Sequence, residues 1–291
     1  MTKSLSIVIP AYNEERHIAA CLDSIATQTS MPDEVIVVDN NSTDQTVQIA
    51  RRYPFVKIVR ESEQGLIPTR NHGFRVAHGD VLARINADVI LEPDWVAIAK
   101  AHFDADAKLG GLTGPAATCL IPPHFGRVRL ISRWYLLRSD AYFRVRVMWG
   151  ANMVIRASAW REINTAACSD DTIVHEDQDL SLLLAGNGWS VAYDKHLLVT
   201  TDEYSYFLWP KLKEYMQRRW RTKAVHQDAG TLSHANARIL PGWYCLAMSL
   251  ITAIPFDIFI VASFLWWHMH SATKVLRDSA LQAYAAAKNN F

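Results

Sequence analysis

What this chain lacks narrows its function first. Its four cysteines, Cys21, Cys119, Cys168 and Cys245, are scattered without Cys-x-x-Cys or Cys/His spacing, which excludes a structural zinc site and a disulfide framework and points to reduced thiols. Net charge is only +1, so the overall field offers nothing to nucleic acid and any charged partner is met by a local patch. No Gly-x-Gly-x-x-Gly follows the first strand-like run and no Gly-x-x-x-x-Gly-Lys-Ser/Thr occurs anywhere, which removes the common dinucleotide and phosphate-loop sites. The opening Met-Thr-Lys-Ser runs straight into a strand-like segment with no apolar leader, and the expectation is residence on the cytosolic side.

What is present is ample. With 291 residues, 50% apolar and 20% charged, the chain can bury a full core, as one large domain or a domain with an appendage, and is neither disordered nor fibrous. Leu5 to Pro10 is an apolar run too short for a helix, and Asn13-Glu14-Glu15 opens a helix over about 15 to 28. Glu34 to Val38 repeats the strand, and Asp39-Asn40-Asn41-Ser42-Thr43-Asp44 caps a second helix to about Arg52. Phe55 to Arg60, Thr69 to His78 and Asp80 to Ile85 continue as strand, helix and strand. Such alternation predicts an α/β fold with a mainly parallel sheet flanked by helices, and ligands of such sheets sit at the carboxyl ends of the strands. Tyr12, Asp39, Asn86 and Asp88 all fall there. Asn86-Ala87-Asp88 puts two polar side chains at i and i+2, pointing the same way out of a strand end; an ordinary strand cap has the same composition.

Four segments, Ser6-Ile-Val-Ile-Pro-Ala-Tyr-Asn-Glu14, Val38-Asp-Asn-Asn-Ser-Thr-Asp44, Gly65 through Arg70-Asn71-His-Gly73, and Ala77-His-Gly-Asp80, resemble in order and spacing the signatures of family 2 glycosyltransferases of the GT-A fold. The resemblance covers roughly residues 4 to 200. It implies an inverting transferase using a nucleotide-diphosphate sugar, a UDP-sugar by preference, with Mg²⁺ or Mn²⁺. It further implies that Pro10, Ala11, Tyr12 and Glu14 line the base and ribose, that Asp39 accepts from the nucleobase edge, and that Arg70 forks onto a base carbonyl or a phosphate. A ring face at Tyr12 and an acceptor-only carboxylate at Asp39 suit those roles. Asn86-Ala87-Asp88 takes the place of the family's Asp-x-Asp: Asp88 stands where the metal is ligated, and Asn86 departs from the pattern, which weakens the expected metal affinity. Trp149-Gly150-Ala151-Asn152 resembles the acceptor-side segment, where a small residue lets backbone approach substrate. Glu176-Asp177 followed by a helix resembles the element carrying the catalytic base, with Asp177 as base and Glu176 orienting; Asp179 is expected only to satisfy the helix dipole. His196 and Thr200 lie near where some relatives place a further metal-facing side chain.

Two stretches point to a membrane surface. Arg127, Arg129, Arg133, Arg138, Arg144 and Arg146 alternate with aromatic and aliphatic residues, a mixture suited to anionic lipid or a phosphorylated lipid acceptor. Pro210 opens a strongly basic helix in which Gln217-Arg218-Arg219-Trp220 is one residue short of the family's processive motif, and Arg219 is a weak candidate for the diphosphate. Trp243 to Trp267 is long and apolar enough to span, but Pro255 and Asp257 divide it, which predicts a re-entrant or interfacial pair; an apolar homo-oligomer contact is the plain alternative. The expectation is a transferase domain over 1–203 and a helical membrane-associating region over 204–291, acting on a lipid-linked or envelope glycan at the cytosolic membrane face. The rivals are a nucleotidyltransferase on the same half-sheet and a degenerate nucleotide-sugar binder without turnover.

Overall fold

The computed structural model describes residues 2–118, 128–201, 209–233 and 237–247. Strands β1 (Leu5–Ala11), β2 (Glu34–Asp39), β3 (Val56–Arg60) and β4 (Val81–Ile85) alternate with helices α1 (Ile18–Ala26), α2 (Thr46–Ala50) and α3 (Leu66–Val76). After β5 (Val89–Leu91) come α4 (Trp95–Ala105), β6 (Leu109–Thr113), β7 (Ala116–Thr118), α5 (Val128–Phe143), β8 (Asn152–Arg156) and α6 (Ala157–Ile163). The described chain continues with α7 (Glu176–Gly186), β9 (Ser190–Tyr193), β10 (Val199–Thr201) and α8 (Trp209–Asp228), then a 3-10 turn at Thr231–Ser233.

The main sheet runs β3-β2-β1-β4-β8-β6-β9. β1 is parallel to both β2 and β4, whereas β8 lies antiparallel between β4 and β6. Strands buried on both faces read as unbroken apolar runs rather than alternating ones, and this is how the central strands divide their side chains. Ile7, Ile9, Val35, Val37, Ala83 and Ile85 enter the core beneath α1, while Val8, Ile36, Val38 and Leu82 enter the opposite one with Phe74 and Trp160. Each fully buried Val, Ile or Leu is worth about 1.5–3 kcal/mol, so the strand ends that carry the polar clusters stand on a rigid platform.

Helix boundaries move for local reasons. α1 begins at Ile18 rather than near Glu15 because Asn13 takes a left-handed φ of 56° and the chain turns through Glu14, whose carbonyl accepts from both His17 N and Ile18 N. α3 begins three residues before Thr69 because the Asp171 carboxylate accepts from Leu66 N and Ile67 N and so caps it from a distant loop, and Pro68 is tolerated in a first turn, where its missing N–H costs nothing. β5, β7 and β10 make a second, three-stranded sheet, ordered β5-β10-β7, beside the end of β4. Within 204–291, α8 packs on α7; the apolar run from 248 onward lies outside the described residues. Among the described residues no helix is long and apolar enough to cross a membrane. Of the basic amphipathic stretch, Arg127 also lies outside them, and the remainder enters α5 and the turn after it.

Candidate active site

One crevice of about 860 Å³ opens at the carboxyl ends of β1 and β4 and is lined by Pro10, Ala11, Tyr12, Glu14, Asn86, Asp88, Trp149, Gly150, Glu176 and Asp177, among others. Its nucleotide-facing wall is built by two turns that lock together. Asn13 and Asn41 both take left-handed φ, which asparagine tolerates better than most residues, and the Asn13 side-chain oxygen accepts from Thr43 N at 2.8 Å. That lock presents Tyr12 52% exposed, with its ring available to stack. Asp39 is buried behind it at the end of β2; its Oδ1 accepts from Ser42 N at 3.0 Å. Glu14 reaches across the mouth of α1, its Oε2 2.9 Å from His17 Nδ1. Burial pushes the Glu14 carboxyl up, and the negative charge of Asp88 adds to this.

The end of β4 carries the next group. Asn86 and Asp88 stay half-exposed on either side of buried Ala87. Asp88 Oδ2 accepts from the Thr201 hydroxyl at 2.9 Å, so the second sheet fixes the carboxylate.

The opposite wall is the first turn of α7, a helix all of whose residues are buried. Glu176 is held from both sides: Arg70 Nη1 lies 3.0 Å from Oε2 and Arg84 Nη1 3.2 Å from Oε1. Asp177 faces the crevice, Oδ2 accepting from Gly150 N at 2.9 Å and Oδ1 from Gln178 N at 2.7 Å. Burial, then the neighbouring Glu176 charge, pushes the Asp177 carboxyl up to about 7, against the pull of those two N–H groups and of Arg84. A carboxylate titrating near neutrality is suited to accept a proton from an attacking hydroxyl.

Comparison with known proteins gives the family and the fold. The family described as Glycosyl transferase family 2 matches residues 6–163, more than half of the chain. The chain belongs to glycosyl transferase family 2. It is 35% identical over 98 residues to EpsH of Bacillus subtilis (strain 168), a stretch that is 32% of this chain and 28% of that protein. It is 32% identical over 109 residues to the chondroitin synthase of Escherichia coli, covering 36% and 16%. The chain thus spans well under half the length of these curated relatives. Among solved structures it is similar to the mannosyltransferase PcManGT from Pyrobaculum calidifontis in complex with GDP-Man and Mn²⁺, at 20% identity and a TM-score of 0.58, covering 96% of this chain and 88% of that one. Staphylococcus aureus TarS 1–349 is similar at 20% identity and a TM-score of 0.59, covering 87% and 72%. These two likenesses show the GT-A fold.

Three residues expected in the family 2 site stand elsewhere, and a fourth, Asp39, is buried and does not line the crevice, where its neighbour Asn40 does. Arg70 does not line the crevice: it is fully buried, its Nη1 on Glu176, its Nε and Nη2 on Asn71 Oδ1 at 3.1 and 2.8 Å, and its guanidinium 5.7 Å from the Trp160 ring centroid. Asn152 is not on the acceptor side. It is wholly buried, accepting from Trp95 Nε1 at 2.9 Å and donating to Leu197 O at 2.7 Å, which ties β8 to α4 and to the approach of β10. Arg219 turns away into α5, lying 4.7 Å from the Tyr142 and 5.4 Å from the Phe143 ring centroid and donating to Ser139 Oγ at 3.1 Å. Its neighbour Arg218, paired with Glu214, is the α8 cation that lines the crevice. Gly150 has a role other than the one expected of it: a Cβ there would fall 2.5 Å from Glu176 Oε1 and closer still to Arg84 Nη1, so the glycine makes room for the ion pair.

Sequence reasoning also missed Arg84, Asp171 and Thr201. Arg84 had a signal, since an arginine inside the buried run Val81-Leu-Ala-Arg-Ile85 demands a buried partner. Thr201 contacts Asp88 across 113 positions, which no local pattern reveals. Asp179, expected only to face the dipole, is instead engaged by His226 Nε2 at 2.9 Å, and His226 Nδ1 lies 2.9 Å from Thr231 Oγ1.

The residues present fit a hard divalent cation held jointly with a diphosphate. No group of three or more His, Cys, Asp or Glu able to hold a metal occurs among the described residues, so the protein alone does not supply a cage. Mg²⁺-type sites, however, need only one or two carboxylates once substrate phosphates contribute. Asp88 supplies one oxygen donor, and it shares the mouth of the crevice with Glu14, whose carboxyl is raised by burial first and by the Asp88 charge second.

Proposed function

We propose that this chain is an inverting glycosyltransferase that moves a sugar from a nucleotide-diphosphate donor, UDP-linked by preference, to a lipid-linked or envelope glycan acceptor. The observation that carries this reading is one crevice with Asp177 on a buried helix N-terminus at one wall and Tyr12, Asn86 and Asp88 at the other. The bound nucleotide sugars named for the similar structures, GDP-Man and UDP-GlcNAc, support a donor of this class.

In this reading Tyr12 stacks on the base and Asp39 accepts its ring N–H. Asp88 would hold Mg²⁺ or Mn²⁺, which would supply charge neutralisation for the departing diphosphate, and Arg218 reaches toward the same phosphates from α8. Asn86 faces the ribose or sugar. Trp149 offers the acceptor a ring face beside Asp177. The acceptor hydroxyl gives its proton to Asp177 Oδ as its oxygen attacks the anomeric carbon, and the nucleoside diphosphate leaves from the opposite face, which inverts the centre. Fixing Asp177 on a helix buried along its length keeps the base in place as the proton moves.

The decisive experiment is a donor panel of UDP- and GDP-sugars with Mg²⁺ or Mn²⁺, scoring release of nucleoside diphosphate. Metal-dependent release that fails in Asp177→Asn is expected. Pyrophosphate release from nucleoside triphosphates would transfer the site to the nucleotidyltransferase reading. Binding without release across the panel would favour the degenerate binder, a reading that Asn86 in place of a carboxylate specifically motivates. For the membrane, Trp220 and Trp243, 64% and 74% exposed, with Arg221 and Arg238 nearby in sequence, support docking of the C-terminal region on the cytosolic face. Flotation of the full chain with anionic but not neutral liposomes is expected, and recovery in the soluble fraction with both would remove it.

A further inference from the structure

Arg84 is a buried charge at the crevice that the transferase reading leaves without a task. Glu176 already has a full partner in Arg70, yet a second guanidinium, 3% exposed, meets its other oxygen. The arrangement is costly. Arg84 Nε is buried with no hydrogen-bond partner among the described residues, and an unmatched buried donor is destabilising. Two arginines against one carboxylate leave this cluster with a formal surplus of one positive charge, which favours the ionised form of a nearby carboxyl against the cost of burial. That carboxyl is Asp177: Gly150 donates its N–H to Asp177 Oδ2 at 2.9 Å, and a Cβ on the same glycine would overlap Arg84 Nη1, so guanidinium and carboxylate flank one stretch of backbone.

We infer that Arg84 is a positioning residue for the proton-accepting step: it holds Glu176 against Arg70 and balances the charge of ionised Asp177, and so sets the pH at which Asp177 becomes a base. The inference rests on the transferase reading for the word base, but the ion-pair assignment stands apart from it. The surroundings leave Arg84 as the cation placed for this. On its own helix Asp177 has Glu176 beside it, His175 before it, and Asp179, which is engaged by His226 and Cys168 N. From α3 comes Arg70, which acts through Glu176; from the loop before α7 comes Asp171, which caps α3; from α8 comes Arg218, paired with Glu214. From the approach to β8 comes the Gly150 N–H. Arg84 also shares a face of β4 with Asn86, two residues on, so one strand positions both the charge balance of the base and the donor end of the crevice.

The test needs no substrate. The Asp177 carboxyl band is isolated as the infrared difference between the full chain and Asp177→Asn, and it is titrated in the native, Arg84→Met, Arg84→Gln and Arg84→Lys backgrounds. Loss of the charge in Arg84→Met and Arg84→Gln is expected to raise the midpoint by about one pH unit or more, and Arg84→Lys to bring it back toward native. Gln keeps a donor to Glu176, so it separates charge from hydrogen bonding and serves if Met does not fold. Unmoved midpoints in the folded variants would overturn the inference. Release of UDP from UDP-GlcNAc with Mg²⁺ is then followed against pH, and its acid limb is expected to move with the infrared midpoint. A moved midpoint with no release from any donor would sink the transferase reading and leave the electrostatic assignment standing.

Discussion

Gly150→Ala is the smallest perturbation that should disable this site. The glycine is not needed for a left-handed backbone, since its φ is not among the positive ones; it is needed for space. The added methyl would stand 2.5 Å from Glu176 Oε1 and closer to Arg84 Nη1. Neither atom is free to move aside, because Glu176 is clamped by Arg70 as well and Arg84 is buried. Overpacking alone costs about 1–3 kcal/mol, and full loss of one partner of a buried ion pair about 3–5 kcal/mol. A displaced but unbroken pair should therefore cost about 2–3 kcal/mol, or about 5–10 °C in Tm for a domain of this size. The Gly150 N–H that holds Asp177 shifts with it, so release of nucleoside diphosphate should fall at least tenfold, a barrier change of only about 1.4 kcal/mol. Gly242→Ala is the control, since a Cβ there meets nothing within 4 Å. Differential scanning calorimetry on both variants decides the matter: equal melting temperatures would show that the Arg84–Glu176 pair does not need the gap at Gly150.

Asp177→Asn should lower turnover by 100-fold or more with little change in donor affinity by calorimetry, and native turnover should rise as pH passes through about 7. The sign for stability is the reverse. A carboxyl raised in the folded state favours folding most at low pH and loses that contribution as pH climbs from its unfolded value to about 7, so Asp177→Asn should melt higher than native at pH 8 and level with it at pH 4. Asn86→Asp should tighten Mn²⁺ binding at least tenfold in the presence of donor, since a unit charge at about 4 Å is worth up to ~4 kcal/mol at an effective dielectric of 20; unchanged affinity by paramagnetic titration would remove this strand end from the metal site. Arg218→Ala should raise the donor KM with Tm held, because its own pair with Glu214 is a helix-surface one worth about 0.3–0.5 kcal/mol, whereas Arg219→Ala should lower Tm through loss of its contacts with Tyr142 and Phe143 and leave KM alone. His226→Leu should cost about 1–3 kcal/mol by urea unfolding, from the buried Asp179 oxygen it strands.

The fold was legible because its central strands are buried on both faces, which writes them into the sequence as unbroken apolar runs, and because the polar residues that end β1, β2 and β4 mark the crevice. The reversed direction of β8 was not legible: Asn152-Met-Val-Ile-Arg156 has the composition of any central strand, and direction is settled by its pairing with β4. The same limit explains the misplaced residues. Arg70, Asn152 and Arg219 have the chemistry of ligand-binding groups, but Arg70 and Asn152 spend it on partners more than 40 positions away, Glu176, Trp95 and Leu197, as Arg219 does on Ser139. On α8 the error was angular, since adjacent helical positions differ by about 100° and the crevice takes Arg218 while the core takes Arg219.

The first turn of α7 divides its three carboxylates among three tasks. The sequence assigns Asp177 to proton transfer, Glu176 to orienting it and only Asp179 to the helix dipole; the N-cap residue, His175, makes no side-chain cap bond, and the three carboxylates go separate ways. At about 100° per residue Asp177 is turned away from the other two, which lie about 60° apart and are separated by the partners they meet. Glu176 is sent into the sheet, to the arginines of α3 and β4; Asp177 to the crevice; and Asp179 to His226 on α8. Each direction has a different consequence: the first fixes the helix on the sheet, the second leaves one carboxylate free for chemistry, and the third anchors the helix that brings Arg218 to the same crevice. The base and the α8 cation are therefore tied to one rigid turn, so a variant that tilts α7 should lose proton transfer and diphosphate contact together, whereas His226→Leu, acting only on the third carboxylate, should weaken the donor contact first.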